Sequence, residues 1–403
     1  MTDNNVKSII NKMTITQRKD IRFEGKITIN GKRKSFYGKT KKEVKDKAKE
    51  YLMKVENGYK EPEKILLCDY MDYWLKKYKY GKIEPSSYTR LYSVYIHQIK
   101  DTIGQMYIGD VTGDILQKFI DNHADPKDSE TKALAESGLK RLTQLLKPCF
   151  KRAVSEGVIW TNPCTELTIP SESYIQVETK VATALSDSQI KVFKEACLHR
   201  YEKYGSRDAL VLLIMLSCGL RVGEMLALEW SDIDFEQRLI RVHRTIQSNI
   251  MDFSSEDLST YDRVKSSTKT KKGVRSLAIN DTVLDYLLKL KNNIPQVKNT
   301  KNPSPYVACT SVGTRQNARN LQRSLTKIIQ KANIVDAQSQ QALCGFGLHD
   351  LRHTFGSAML RHGIGIEVLS KLMGHANITI TYNKYIHVLQ EQQALAMQGV
   401  TIC

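Results

Sequence analysis

The chain has 403 residues, a formal net charge of +18 (61 Lys and Arg against 43 Asp and Glu) and a pI near 9.4, which allows two or three domains and points to a polyanionic partner, nucleic acid first. No apolar run is long enough to span a bilayer and the N-terminus MTDNNVKSII has no signal-peptide core, so a bacterial cytoplasmic protein without a membrane partner is expected. The eight cysteines show no CxxC pairing, so neither a zinc knuckle nor a disulfide framework is suggested and reduced cytosolic thiols are the simplest reading.

Residues 1 to 60 read as a first unit. KITINGKRKSFYG alternates apolar and polar side chains around Asn30-Gly31, a dipeptide suited to a two-residue hairpin turn because both residues tolerate positive φ. A third strand is expected from Met13 to Gln17 or from Asp20 to Phe23. Thr40 and Glu43 form a capping box for a helix running to about Val55. The unit holds 17 Lys and Arg against 7 Asp and Glu, so +10 of the +18 sits in about a seventh of the chain. A small sheet with a basic face fits a DNA groove, with Lys32, Arg33, Lys34 and Lys39 as contacts. The alternative is a solvated sheet that only aids solubility.

Residues 64 to 160 read as all-helical. Apolar positions recur at helical spacing in Leu66, Tyr70, Tyr73 and Trp74, and in Tyr88, Leu91, Tyr92, Tyr95, Ile96 and Ile99. Asp110 to Ile120 and about Glu130 to Glu156 complete four helices. The aromatic stripe reads as core more readily than as a base-stacking platform. Asn162-Pro163 stops the run, and Pro170 to Lys180 reads as a linker.

From Ser186 the pattern is mixed. Ser186 and Gln189 offer a capping box, and helices follow through Cys218. Leu239 to Ile246 and Val274 to Ile279 have strand character, with a long polar loop between them, and helices dominate from Gln316 onward.

Four short clusters in this half carry reactive side chains. Arg221 directly follows the apolar helix Ala209 to Leu220, and Glu224 is placed to orient its guanidinium. His349 and Arg352 in HDLRH are three apart and share a helix face. His349 and His353 have the spacing of a helical zinc pair, but no zincin glutamate is present and the intervening arginine would repel the metal. His375 ends LMGH. Tyr385 follows ten residues later, with Tyr382 close enough to compete for the same role. Together these groups suit a phosphodiester. Two guanidiniums clamp its nonbridging oxygens, and a phenol of pKa about 10 attacks phosphorus once a base and cations assist it. The leaving oxygen needs a proton donor, for which TKTKKGVRSLAI supplies Lys269, Lys271 and Lys272.

SCGLRVGE, HDLRHT and KLMGHANITITYNKYIHV resemble the motifs of the tyrosine recombinase (phage-type integrase) family over roughly residues 180 to 395. The resemblance implies that Arg221 and Arg352 hold the scissile phosphate, His375 bonds a nonbridging oxygen and His349 assists as base. It favours Lys269 as general acid. It favours Tyr385 over Tyr382 as the nucleophile that forms a 3′-phosphotyrosine, because Tyr385-Ile386-His387 fits the family pattern. No metal, ATP or other cofactor is implied. Residues 61–170 resemble the family's core-binding domain, 171–181 a linker and 182–403 the catalytic domain with its tail. The basic unit at 1–60 resembles the arm-binding domain of integrases from conjugative transposons and temperate phages.

The expected fold is therefore multidomain and mainly α with small β-sheets. An N-terminal three-stranded sheet plus helix precedes a helical core-binding domain and a mixed α/β catalytic domain. The expected function is integration and excision of a mobile element through a Holliday junction. The expected partners are double-stranded DNA at core and arm sites, three further protomers, and an excisionase or DNA-bending protein. The partly apolar tail Val388 to Cys403 would dock on a neighbouring protomer or pack in cis. The rival readings are a non-catalytic architectural or repressor protein and a type IB topoisomerase-like enzyme.

Overall fold

The computed structural model of the protein describes residues 9–17, 22–29, 32–56, 64–177, 184–253, 259–265, 274–335, 343 and 345–398. Two compact units divide between Thr179 and Lys180. No described helix is long and apolar enough to cross a membrane.

The first unit begins with an antiparallel sheet, β1 (Thr14–Gln17), β2 (Phe23–Ile29) and β3 (Lys32–Gly38), in the order β1-β2-β3. The third strand is thus the earlier of the two expected segments. Register pairs Ile29 with Lys32, and Asn30-Gly31 itself lies outside the described residues. Helix α1 (Lys41–Glu56) covers one face, packing Val44, Ala48 and Leu52 on Met13, Ile27 and Phe36. Thr40 Oγ1 accepts from Glu43 N–H, while the Glu43 carboxylate reaches Lys39 N–H rather than that of Thr40. Gly25 lets this contact close, since a Cβ there would lie 2.6 Å from Val44 Cγ1.

The helical part follows, with α2 (Leu67–Tyr78), α3 (Pro85–Val94), α4 (Gly113–Ala124) and α5 (Glu136–Ser155). The aromatic stripe is largely core, with Tyr70, Trp74, Tyr88 and Tyr95 all buried. Three boundaries differ from expectation. The segment expected as one helix from Tyr88 to Ile99 changes to a π turn over Tyr95–Ile99. Helix α4 starts three residues late because Thr112 caps it, accepting from Ile115 N–H. Helix α5 starts at Glu136 because the Asp128 carboxylate takes the N–H groups of Glu130 and Thr131, competing with helix there. The expected linker is partly structured, with a 3-10 turn at Glu172–Tyr174 and Gln176 N–H donating to Ala124 O.

The second unit is built around α7 (Arg207–Cys218), nine of whose twelve residues are buried. Around it pack α6 (Asp187–Tyr204), α9 (Asp281–Lys291), α10 (Ala318–Lys331) and α11 (Leu348–Arg361). Ser186 and Gln189 make the expected capping box at the start of α6. Short helix α8 (Val222–Ala227) leads to a sheet of β4 (Ile233–Asp234), β5 (Leu239–Val242) and β8 (Arg275–Ala278). The strand expected from Leu239 to Ile246 breaks at His243 and Arg244, whose side chains both turn to Asp232. A separate hairpin of β6 (Thr245–Met251) and β7 (Thr260–Lys265) occupies part of the expected polar loop. Helices α12 (Ile366–Met373) and α13 (Ile378–Gln398) complete the unit.

Leu212 is fully buried on α7 and Val192 is 42% exposed on α6. Leu212→Ala is expected to cost about 2–5 kcal/mol through transfer and cavity terms, and Val192→Ala well under that. Denaturant unfolding of the two variants measures the difference.

Candidate active site

The site forms where α7 ends. Gly219 caps the helix in the left-handed conformation (φ 61°), and a side chain there would strike the Phe355 ring. Leu220 is buried, which fixes Arg221 as the residue that emerges. Glu224, three residues on and 3% exposed, accepts from the Arg221 backbone N–H (2.9 Å) and from Arg221 Nη1 (2.8 Å).

The same carboxylate holds a second arginine. Arg275, the first residue of β8, donates Nη1 to Glu224 Oε1 (3.1 Å) and Nη2 to Oε2 (2.9 Å). Its Nε donates to Leu372 O (2.7 Å). Burial opposes ionisation of Glu224, but the hydrogen bonds and charge of Arg275, then the charge of Arg221, bring its pKa down to about 2.

Arg352, 2% exposed on α11, is the third guanidinium, with Nη1 4.0 Å from Glu224 Oε2. Nη1 donates to Gly219 O (2.6 Å) and Nη2 to Met373 O, so the carbonyls closing α7 and α12 hold it. Those carbonyls are otherwise orphaned at the negative ends of the helix dipoles, where a cation is favoured. Burial, then the charge of Arg221, lowers the Arg352 pKa to about 9, so it remains a cation at neutral pH.

His375 follows Gly374, the left-handed cap of α12. Its Nε2 meets Arg352 Nη2 at 3.1 Å and its Nδ1 meets Thr381 Oγ1 at 2.8 Å. Since Arg352 can only donate, Nε2 accepts and the proton sits on Nδ1. Burial, then the charges of Arg352 and Arg221, pushes its pKa down to about 4. His349 has solvent on one side, but desolvation and then Lys384 and Arg352 lower it to about 4 as well. Its Nε2 accepts from Lys384 Nζ at 3.1 Å. Both rings are therefore neutral at pH 7.

Tyr385 is fully buried, with its hydroxyl turned to Met373 Sδ at 3.6 Å. Burial raises its pKa to about 12 against the lowering effect of Arg352. Its ring lies over Gly356, where a Cβ would come within 2.2 Å of the phenolic oxygen. The residue also breaks α13, with φ −119° and ψ 15° inside an otherwise helical run. Tyr382 is 48% exposed.

Arg221, Arg352 and His375 thus share one cluster of ion pairs and hydrogen bonds. His349 stands at its edge through Lys384, and Tyr385 is packed behind it. Lys269, Lys271 and Lys272 lie outside the described residues. Sequence reasoning missed Arg275, Lys384 and Thr381. In the N-terminal sheet, Arg33 is exposed, but Lys34 has the parity of Phe36, on the face α1 covers, with its ammonium 4.8 Å from the Tyr51 ring centre. Lys39 is exposed beyond β3, and the Lys32 side chain lies outside the described residues. The first part of the tail packs in cis, with Val388 buried and Leu389 against Leu360, Leu369 and Met373; side chains beyond residue 390 are outside the described set.

A family model for the phage integrase family matches residues 184–392, and one for the phage integrase N-terminal SAM-like domain matches residues 66–123. A tyrosine recombinase XerC-like protein of Caldanaerobacter subterraneus subsp. tengcongensis is 31% identical over 384 residues, covering 92% of each chain. The transposase from transposon Tn916 of Enterococcus faecalis is 25% identical over 256 residues, 60% of this chain and 56% of that protein. The fold is similar to that of the Tn1549 transposon integrase in complex with a circular intermediate DNA (TM-score 0.62, 20% identity, 82% of this chain and 99% of that one). It is also similar to that of a lambda integrase tetramer bound to a Holliday junction (TM-score 0.55, 15% identity, 92% and 94%).

Two measurements test the geometry. A histidine with a folded pKa near 4 and an unfolded value of about 6.5 favours the fold above pH ~6.5 and loses that contribution as pH falls toward 4. Thermal stability should drop over that window, and drop less in His375→Asn. Gly356→Ala should cost about 1–3 kcal/mol by overpacking Tyr385, measured by denaturant unfolding.

Proposed function

This chain belongs to the phage integrase family of tyrosine recombinases, enzymes that cut and rejoin DNA, and we propose that Arg221, His349, Arg352, His375 and Tyr385 are the residues by which it does so. The observation that carries this reading is the convergence of Arg221 and Arg352 on one buried carboxylate, with His375 bonded to Arg352. Among the described residues three guanidiniums share the one carboxylate of Glu224, a positive excess that a phosphodiester monoanion would neutralise.

In the proposed reaction Tyr385 Oη attacks phosphorus, a 3′-phosphotyrosine bond forms and the bond to the 5′ oxygen breaks. Arg221 and Arg352 take the nonbridging oxygens as charge grows on them. His375 turns from Arg352 to the phosphate in its other tautomer, Thr381 Oγ1–H donating to Nδ1 and Nε2–H donating to a nonbridging oxygen. His349, neutral at pH 7, accepts the phenolic proton once Lys384 has released its Nε2. The leaving 5′ oxygen receives a proton from Lys269, or from Lys271 or Lys272 in the same segment. The phosphotyrosine conserves the phosphodiester energy, so rejoining needs no ATP.

Tyr385 must first leave its pocket, because a phenol with a raised pKa and a thioether partner is a poor nucleophile. The break in helical geometry at Tyr385 offers the pivot.

At the level of the whole chain, residues 1–60 are proposed to bind arm sites, 61–170 and 182–403 to bind and cut core sites, and 171–181 to link them. Arg33 and Lys39 are the arm contacts best supported by their exposure. The proposed working form is a tetramer on a Holliday junction, acting in the cytoplasm of a bacterium to insert and excise a mobile element. An excisionase or DNA-bending protein sets the direction.

A covalent trap on a nicked suicide substrate tests the assignment. Tyr385→Phe should abolish the protein–DNA adduct while leaving DNA affinity unchanged, and Tyr382→Phe should keep the adduct. The reverse result would sink it. Arg221→Lys should reduce adduct formation by about 10²-fold or more, because lysine keeps the charge but loses the fork that Glu224 orients.

A further inference from the structure

A second cationic site lies at the opposite end of α7 from the arginine cluster. The helix runs from Arg207 to Cys218, so its ends are roughly 18 Å apart at 1.5 Å per residue. At its start a cleft of about 480 Å³ opens between α6, α7 and α10. Arg200, Arg207, Arg323 and Lys327 line it, with Asp208 as the acidic group among its lining residues.

These cations are poorly served by the protein itself. Arg207 spends Nη1 on Leu290 O (3.0 Å) and Asn293 O (2.6 Å). Its Nε and Nη2 are buried without an acceptor, as is Nε of Arg200. Among the described residues Arg323 and Lys327 have no hydrogen-bond or ion-pair partner. Asp208 is engaged by Gln316 Nε2 at 2.8 Å, and burial raises its pKa against the pull of Arg200 and Arg207. Four like charges therefore crowd one cleft, while the unpartnered donors of Arg207 are closed off from solvent behind it. The charge crowding is relieved when an anion with several oxygen acceptors enters.

The cleft is separate from the proposed catalytic pocket. On α10, Gln322 bonds Phe346 O and Leu348 N–H, so that flank faces the start of α11, where His349 and Arg352 lie. Arg323 and Lys327 fall on the far flank of the same helix.

We propose that this cleft binds adjacent phosphate groups, with Arg200 as the inner contact, Arg323 and Lys327 as the outer ones, and Arg207 adding its charge to the field. Phosphate fits because its oxygens accept from a guanidinium fork and a multiply charged chain of them spans four cations. The phosphates come either from a free polyphosphate or from a DNA backbone lying beyond the cleavage site. The assignment does not depend on the catalytic roles given above.

Thermal shift of the full chain with sodium tripolyphosphate, at constant ionic strength, tests the site. The wild type should show a saturable rise in Tm, and Arg221→Gln should keep it. Arg323→Gln/Lys327→Gln, altered at exposed positions, should lose it. Lys191→Gln/Lys194→Gln, a charge-matched change on the exposed side of α6, should not. That outcome, with duplex binding unchanged in Arg323→Gln/Lys327→Gln, identifies a free polyphosphate as the ligand. If tripolyphosphate does nothing but Arg323→Gln/Lys327→Gln weakens duplex binding and shallows its salt dependence by about two phosphates' worth, the DNA backbone is the ligand. Unchanged behaviour of that double variant in both assays, or equal losses in the Lys191/Lys194 control, overturns the proposal.

Discussion

Everything at the candidate active site hangs on one buried carboxylate. Glu224 accepts from Arg221 and Arg275 and stands 4.0 Å from Arg352, so it sets the positions of two guanidiniums and the field felt by the third. Removing it would leave buried cations with no counter-charge, the costliest way to disrupt such a network. Its own ionisation is secured by the charges it neutralises, so carboxylate and arginines are mutually dependent. Burial, and then the same positive field, keeps His349 and His375 neutral, one able to accept a proton and the other able to change hydrogen-bond partner.

The helix termini do the rest of the positioning. Carbonyls at the ends of α7 and α12 hold Arg352, and Leu372 O holds Arg275, so two helices and one strand meet at their polar ends. Left-handed glycines at 219 and 374 bring those ends together, since a side chain at either would strike Phe355 or crowd Arg275. The cluster is rigid and electrostatically ready. The phenol beside it is neither, being buried, protonated and turned to a sulfur.

Much of this could be read in the sequence because the motifs couple chemistry to local structure. Arg221 was legible because an apolar helix ending in Gly leaves the next residue at a fixed exit. His349 and Arg352 were legible because a spacing of three puts them on one helix face. Arg275 was hidden in a strand whose alternation places it with buried Leu277, and an arginine at a buried-parity position is itself a signal of a partnered cation. The β6–β7 hairpin was obscured because its register slips between Gln247 and Ile250 and Asn249 takes a positive φ, which breaks the period of two. Lys384 escaped notice because its meaning depends on His349, 35 residues away. The start of α5 was misjudged because Asp128 has a helix-compatible neighbourhood but spends its side chain on a turn.

The break at Tyr385 has a mechanical side. Helix α13 continues from it to Gln398, about 20 Å of rod at 1.5 Å per residue, anchored near its base by Val388. In the proposed reaction the residue at this break is the one whose hydroxyl is delivered, which makes the rod beyond it a lever. Torque applied to the far end is concentrated at the least helical residue along its length. On the proposed reaction, delivery of the phenol would then depend on load at the far end as well as on acidity.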